Sequence, residues 1–139
     1  MLFIPLEKPK KMTIQLGVVQ TRIMHVLWEL EKCTARQITD ALNQLFPEEP
    51  IAHSTVQTLL RGLMDKGAVE HHTEGRTFVF EPLIAQDKIR KSATRDLLQR
   101  VFEGNASELV SYLINNEKVS KEELTEIKKL IIQKSKKKN

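Results

Sequence analysis

The sequence predicts a mainly α-helical protein with one small β-hairpin, on three observations. Residues from about Ser54 to Lys66 form a helical pattern with one apolar face and a glycine stop at Gly67. Two short alternating strands follow it at once, joined through Thr73-Glu74-Gly75. Two capped amphipathic helices precede it. Helix, helix, helix and hairpin in that order make a winged helix-turn-helix, so the fold class is mainly α with a small β wing, followed by a C-terminal three-helix region.

Helix one keeps a 3.6-residue period through Val19, Ile23, Val26, Leu27 and Leu30, with Met24 and Trp28 flanking the stripe, until Glu31-Lys32-Cys33 breaks it. Helix two opens on Thr34-Ala35-Arg36-Gln37, a capping box in which the hydroxyl and the amide satisfy two free backbone N–H groups. Its stripe is Ile38, Ala41, Leu42 and Leu45, and Phe46-Pro47-Glu48-Glu49-Pro50 ends it because proline lacks the N–H and restricts its predecessor. Helix three repeats the box in Ser54 to Gln57, with Ser54 expected as N-cap. Val56, Leu59, Leu60 and Leu63 form its buried face, and Gly67 takes the left-handed stop. Ala68–His72 and Arg76–Phe80 then pair as the wing, with Gly75 free to adopt positive φ.

The exposed face of helix three carries Ser54, Gln57, Thr58 and Arg61, with Thr55 beside them in the first turn. Short hydrogen-bonding side chains and one arginine suit the major groove of double-stranded DNA, where arginine bonds the O6/N7 edge of guanine bidentately. Arg61 is the first base-reading candidate. Its bland alternative is a solvated arginine paired with Asp65 at i+4, a pairing worth only a few tenths of a kcal/mol. Arg76, at the base of the wing, is a candidate phosphate contact. Lys66, Lys8, Lys10 and Lys11 are further cations that need to cluster with these to attract phosphate.

After Pro82 the pattern turns helical again. A connecting helix runs from Gln86 to Phe102. Ser107 opens the next, with Leu109, Val110, Leu113 and Ile114, and a third capping box at Ser120–Glu123 opens the last, with Leu124, Ile127, Leu130 and Ile131 on one face. Three helices totalling about 50 residues fall below the size at which an isolated core is usually stable, so a homodimer is expected to bury Leu109, Leu113, Leu124, Ile127, Leu130 and Ile131. The alternative is that these helices fold back on the first domain. The expected organisation is a flexible arm over 1–13, the winged helix over 14–84, the helical dimerisation region over 85–135 and a basic tail over 136–139.

Composition permits this reading and narrows it. With 40% hydrophobic and 29% charged residues the chain can form an ordinary core. Residues 1–85 hold nine Lys/Arg against ten Asp/Glu and residues 86–139 hold thirteen against eight, so the net charge of +4 resides in the second half. The single Cys33 makes no intramolecular disulfide, no long apolar run spans a membrane, and the apolar start Met1–Leu6 is too short for a signal peptide, so a cytoplasmic location is expected. His25, His53, His71, His72 and Cys33 form neither an i, i+4 histidine pair nor a CxxC pair. With no phosphate-binding glycine loop and no nucleophile elbow, the chain is read as a non-enzyme without metal or cofactor. The rival to DNA binding is a winged helix that binds only protein, which salt dependence separates, because phosphate contacts weaken steeply with salt.

The combined pattern resembles the penicillinase-repressor and methicillin-resistance repressor type of transcriptional regulator. The resemblance rests on Leu16-Gly17 and Ile23–Trp28 in helix one, Ser54–Leu63 with Lys66-Gly67 in helix three, and Glu74–Arg76 leading to Pro82-Leu83 in the wing. Leu97-Leu98, Val101–Gly104, Leu109-Val110, Leu113 and Ser120–Leu124 extend it over roughly residues 16–132. It implies a homodimeric repressor on a palindromic operator, one winged helix per half-site, joined by the C-terminal helices. Antibiotic-responsive members of the family are inactivated by a regulatory protease near the segment matching Val101 and Phe102, where Val101 stands in place of the asparagine typical of cleaved members. Copper-responsive members carry clustered C-terminal cysteines, which this tail lacks.

Overall fold

The computed structural model describes residues 15–137. The arm expected over residues 1–13, including Lys8, Lys10 and Lys11, lies outside the described residues. Among the described residues six helices and three short strands run in the order α1 (Val18–Leu30), β1 (Cys33–Thr34), α2 (Ala35–Leu45), α3 (His53–Asp65), β2 (Val69–Glu74), β3 (Thr77–Pro82), α4 (Gln86–Arg100), α5 (Ala106–Asn116) and α6 (Lys121–Lys137). The chain divides within α4 into two compact units, one reaching to Thr94 and one starting at Arg95.

In the first unit α1, α2 and α3 bury the stripes their periodicity predicts. Ile23, Met24, Leu27, Ile38, Val56, Leu60 and Leu63 are fully buried, and Ala68, Val69, Phe80 and Cys33 close the core from the sheet side. Leu30 and Leu45 were expected on these stripes but are 51% and 65% exposed; each is the final residue of its helix. Glu31, with φ 69°, turns the chain away after α1.

The capping box of α2 forms as expected: the Gln37 N–H donates to Thr34 Oγ1 at 3.1 Å and the Thr34 N–H donates to Gln37 Oε1 at 2.8 Å. The box expected at Ser54 does not. Helix α3 starts one residue earlier, at His53, with Ala52 as N-cap. The Ala52 carbonyl already accepts the N–H groups of Thr55 and Val56, each at 3.1 Å, so Ser54 sits inside the first turn and its hydroxyl does not cap. At the other end Gly67 adopts φ 74°, the Ala68 N–H donates to the Leu63 carbonyl at 2.9 Å and the Gly67 N–H to Met64 at 3.0 Å, the paired bonds of a Schellman stop.

Between α2 and α3 the side-chain amide of Asn43 clamps one residue of backbone. Its Nδ2 donates to the Ile51 carbonyl at 3.1 Å and its Oδ1 accepts the Ile51 N–H at 2.8 Å, in place of a partner strand.

The sheet is antiparallel in the order β1-β3-β2. Strand β1 was not expected; it pairs Cys33 with Phe80 and Thr34 with Val79. Glu74 pairs with Thr77, which leaves Gly75-Arg76 as a two-residue loop with Gly75 at φ 66°, the first loop position, where a II′ hairpin turn takes glycine. Arg76 is therefore in the loop and not at the start of the strand. The Trp28 indole N–H donates to the Ile84 carbonyl at 2.8 Å and ties the segment after β3 to α1.

In the second unit the turn after α4 uses left-handed Glu103 and Gly104 (φ 51° and 82°). Helix α5 is capped by Asn105, whose Oδ1 accepts the Glu108 N–H at 3.1 Å; the expected opener, Ser107, instead donates to that same oxygen at 2.8 Å. Ser120 caps α6 as expected, accepting the Glu123 N–H at 3.0 Å. Phe102 and Tyr112 meet edge to face with centroids 5.6 Å apart.

Two stability predictions follow from these contacts. Asn43→Ala leaves both polar groups of Ile51 without their protein partner and should destabilise the first unit by about 1–3 kcal/mol, read as a lower urea midpoint; an unchanged midpoint would show that solvent replaces the clamp. Burial pushes the Cys33 thiol up to about 11 from 9.0. The folded chain then keeps a proton that the unfolded chain loses, so Cys33 subtracts stability as pH rises from 9.0 to about 11. At pH 8 a thiol reagent should modify native Cys33 at least about tenfold more slowly than the urea-unfolded chain, because burial both raises its pKa and shields the sulfur; equal rates would contradict the burial argument.

Candidate nucleic-acid interface

Burial of Val56, Leu60 and Leu63 turns the other side of α3 to solvent, and Ser54, Thr55, Gln57, Thr58 and Arg61 are all exposed there. The Thr58 hydroxyl donates back to the Ser54 carbonyl at 3.1 Å. A cleft of about 560 Å³ opens beside this face, lined by residues of α2, α3 and the β2–β3 hairpin. Gln57 and Arg61 enter it from α3 and Arg76 from the hairpin loop. Of the predicted contact residues these three are brought together; Ser54, Thr55 and Thr58 lie on the exposed face of α3 outside the cleft lining.

The cleft contains a third arginine that sequence patterning did not single out. Arg36 enters from the first turn of α2, where its only sequence signal is membership of the Thr34–Gln37 capping box. Three arginines and two histidines, His53 and His71, line the cleft, and no acidic residue does. Its apolar floor includes Met64, Phe78 and Phe80. His71 Nδ1 lies 2.9 Å from Met64 Sδ, and its ring meets Phe78 edge to face at 5.0 Å. His53 Nδ1 lies 3.3 Å from Thr39 Oγ1 beneath the start of α3.

Two acids of the first unit, Glu74 and Glu49, are paired with cations outside the cleft lining. Glu74, next to the hairpin loop, accepts from His72 Nε2 at 2.7 Å and from Lys32 Nζ at 3.3 Å. These hydrogen bonds, that from His72 first, hold its carboxyl below its ordinary value. Glu49 is bound to Arg22 at 2.9 Å. Among the described residues Arg36, Arg61 and Arg76 form no ion pair, so the i+4 pairing of Arg61 with Asp65 is not made. Lys66 does not join them. Its ammonium donates to the Gln15 carbonyl at 2.7 Å and to Gln20 Oε1 at 2.8 Å, so it fastens the start of α1 to the end of α3.

The winged helix is the fold the sequence resemblance leads one to expect. The family model described as "Penicillinase repressor" matches residues 16–133. The chain belongs to the penicillinase repressor family. Among its relatives, the penicillinase repressor of Bacillus licheniformis is 27% identical over 117 residues, covering 84% of this chain and 89% of that protein. The methicillin resistance regulatory protein MecI of Staphylococcus aureus is 20% identical over 119 residues, covering 86% and 94%. A complex structure of hsRosR shares the fold at a TM-score of 0.50 and 18% identity, covering 88% of this chain and 95% of that one.

The second unit presents a different kind of surface. Leu109 and Ile127 are half-buried, whereas Leu113, Leu124, Leu130 and Ile131 are exposed, Leu130 to 62%. None of the described residues of this unit is buried. Val101 is exposed and Phe102 half-buried in the turn after α4. Among the described residues no helix is long and apolar enough to cross a membrane, and no group of three or more His, Cys, Asp or Glu is placed to hold a metal ion.

Proposed function

We propose that this chain represses transcription as a homodimer, each protomer setting its α3 face and cleft on one half-site of a palindromic operator in double-stranded DNA. It is a DNA-binding transcriptional repressor of the penicillinase repressor family. The observation that carries the reading is the meeting of Gln57, Arg61 and Arg76 in one acid-free cleft. Residues 1–85 have no excess of basic residues, so the positive surface is local and coincides with the recognition face. Arg61 reads a base edge in the major groove, Gln57 and the hydroxyls of Ser54, Thr55 and Thr58 contact neighbouring edges or phosphates, and Arg76 holds a phosphate from the wing. Such a regulator works where the DNA is, in the cytoplasm, and carries out no chemistry of its own.

The dimer is supported by the second unit, whose apolar residues stay exposed in a single chain. Leu109, Leu113, Leu124, Ile127, Leu130 and Ile131 would be buried against their counterparts of a second copy, and two-fold symmetry then matches half-sites one helical turn or a multiple apart. Relief by a regulatory protease is supported by the exposure of Val101 in the turn between α4 and α5.

The reading is tested by an electrophoretic shift of the full chain on the DNA upstream of its own gene, with a scrambled duplex as control, over a salt series. A specific complex that weakens steeply with salt is expected; salt-insensitive binding, or none, would favour a protein partner. Arg61→Ala should cost about 1–3 kcal/mol on the specific duplex and relax its sequence preference, and unchanged affinity and preference would remove Arg61 from base reading. Leu130→Asp should yield a monomer by light scattering, with the first unit still folded and tight DNA binding lost. A dimeric, fully binding variant would exclude the α6 stripe as the interface.

A further inference from the structure

Arg36 is exposed in the first turn of α2 and lines the same cleft as Arg61 and Arg76, so α2, α3 and the hairpin loop each supply one arginine. The fold makes no visible use of it: among the described residues it has neither an ion pair nor a side-chain hydrogen bond. Arg22 shows what a structural arginine looks like in this unit, bound to Glu49 at 2.9 Å and stacked on Phe46 with its guanidinium carbon 3.8 Å from the ring centroid. When the recognition helix of a helix-turn-helix enters the major groove, the helix before it crosses the sugar-phosphate backbone. A cation in the first turn of α2 therefore meets phosphate and not a base edge. The positive end of the α2 dipole lies at the same place and acts with the same sign.

We infer that Arg36 is a backbone-phosphate clamp of the operator complex, a contact that sets affinity and register without reading sequence. This rests on the DNA-binding reading above, and the test separates the two. Full-length wild type, Arg36→Ala, Arg36→Lys and Arg61→Ala are titrated against the duplex from upstream of the chain's own gene and against a scrambled duplex, from 50 to 200 mM salt. Circular dichroism melting verifies that each variant folds.

Arg36→Ala is expected to weaken both duplexes alike, by roughly tenfold at the same salt, and to make the slope of log affinity against log salt shallower by about 0.9, the value of one lost phosphate contact. Arg36→Lys keeps the charge and should recover the slope. If Arg36→Ala leaves affinity and slope unchanged while Arg61→Ala weakens the specific duplex, the clamp is wrong and the DNA-binding reading stands. Loss confined to the specific duplex would likewise overturn the clamp, because it would make Arg36 a base reader. If neither variant affects binding to either duplex, the clamp and the base-reading role of Arg61 are both wrong, and if wild type binds neither duplex the DNA-binding reading falls and the clamp with it.

Discussion

The rotation of α3 about its own axis is the constraint on which the site depends. Val56, Leu60 and Leu63 are fully buried against α1 and α2, and at about 100° per residue their burial leaves Gln57 and Arg61 no choice but the solvent side. A turn of one residue would push the Arg61 guanidinium toward the core, where an unpaired charge costs several kcal/mol or neutralises. The apolar stripe thus does more than hold the domain together, since it aims the polar face. The Gly67 stop carries the same constraint forward, because its paired bonds to Leu63 and Met64 fix where the chain leaves α3 and hence where β2 begins. The hairpin loop is in this way indexed to the helix, and Arg76 reaches the cleft that Arg61 lines although fourteen residues lie between them.

Electrostatics at this face is a matter of which charges the fold consumes. The first 85 residues are close to neutral, yet the cleft is lined by three arginines and no acid. Glu49 is taken up by Arg22, and Glu74 by His72 and Lys32. Exposed pairs of this sort contribute little to stability. The larger consequence of the Glu74 pairs is to offset negative charge next to the wing loop. Lys66, a cation by composition, is spent on joining the start of α1 to the end of α3. Net charge was therefore a poor guide to this surface, and the position of each charge relative to its neighbours decides the field.

Much of this was legible in the sequence because it is written in short-range patterns. The three stripes, the Thr34 box, the Gly67 stop, the Ser120 cap and the hairpin around Gly75 each follow from residues within one or two turns of each other. What escaped depends on distant partners. Strand β1 is two residues long and has no periodicity of its own; it exists because β3 lies beside it. The start of α3 moved off Ser54 because the Ala52 carbonyl accepted both first-turn amides, a contest between two nearby acceptors that the motif Ser-x-x-Gln does not reveal. The Asn43 clamp on Ile51 crosses a proline-containing loop, and Arg36 gains meaning only once α2, α3 and the wing share a cleft. The site residues were derivable as candidates from α3 and the wing taken separately; their convergence was not.

The two units solve different halves of one binding problem. A single cleft offers three arginines, and a protein touching only a few phosphates binds weakly at physiological salt, since each contact adds only about 0.9 to the salt slope. Specific recognition calls for more contacts than one such face supplies. In the proposed homodimer, joining two copies would double the arginines and make the second half-site an intramolecular event, with an effective concentration set by the connection between the units. The second unit, with no buried residue among those described and with Leu113, Leu124, Leu130 and Ile131 exposed, would gain apolar burial from the proposed second copy. In the proposed dimer this apolar surface would be linked to DNA affinity, and severing α4 from α5 would remove the linkage while leaving each winged helix folded.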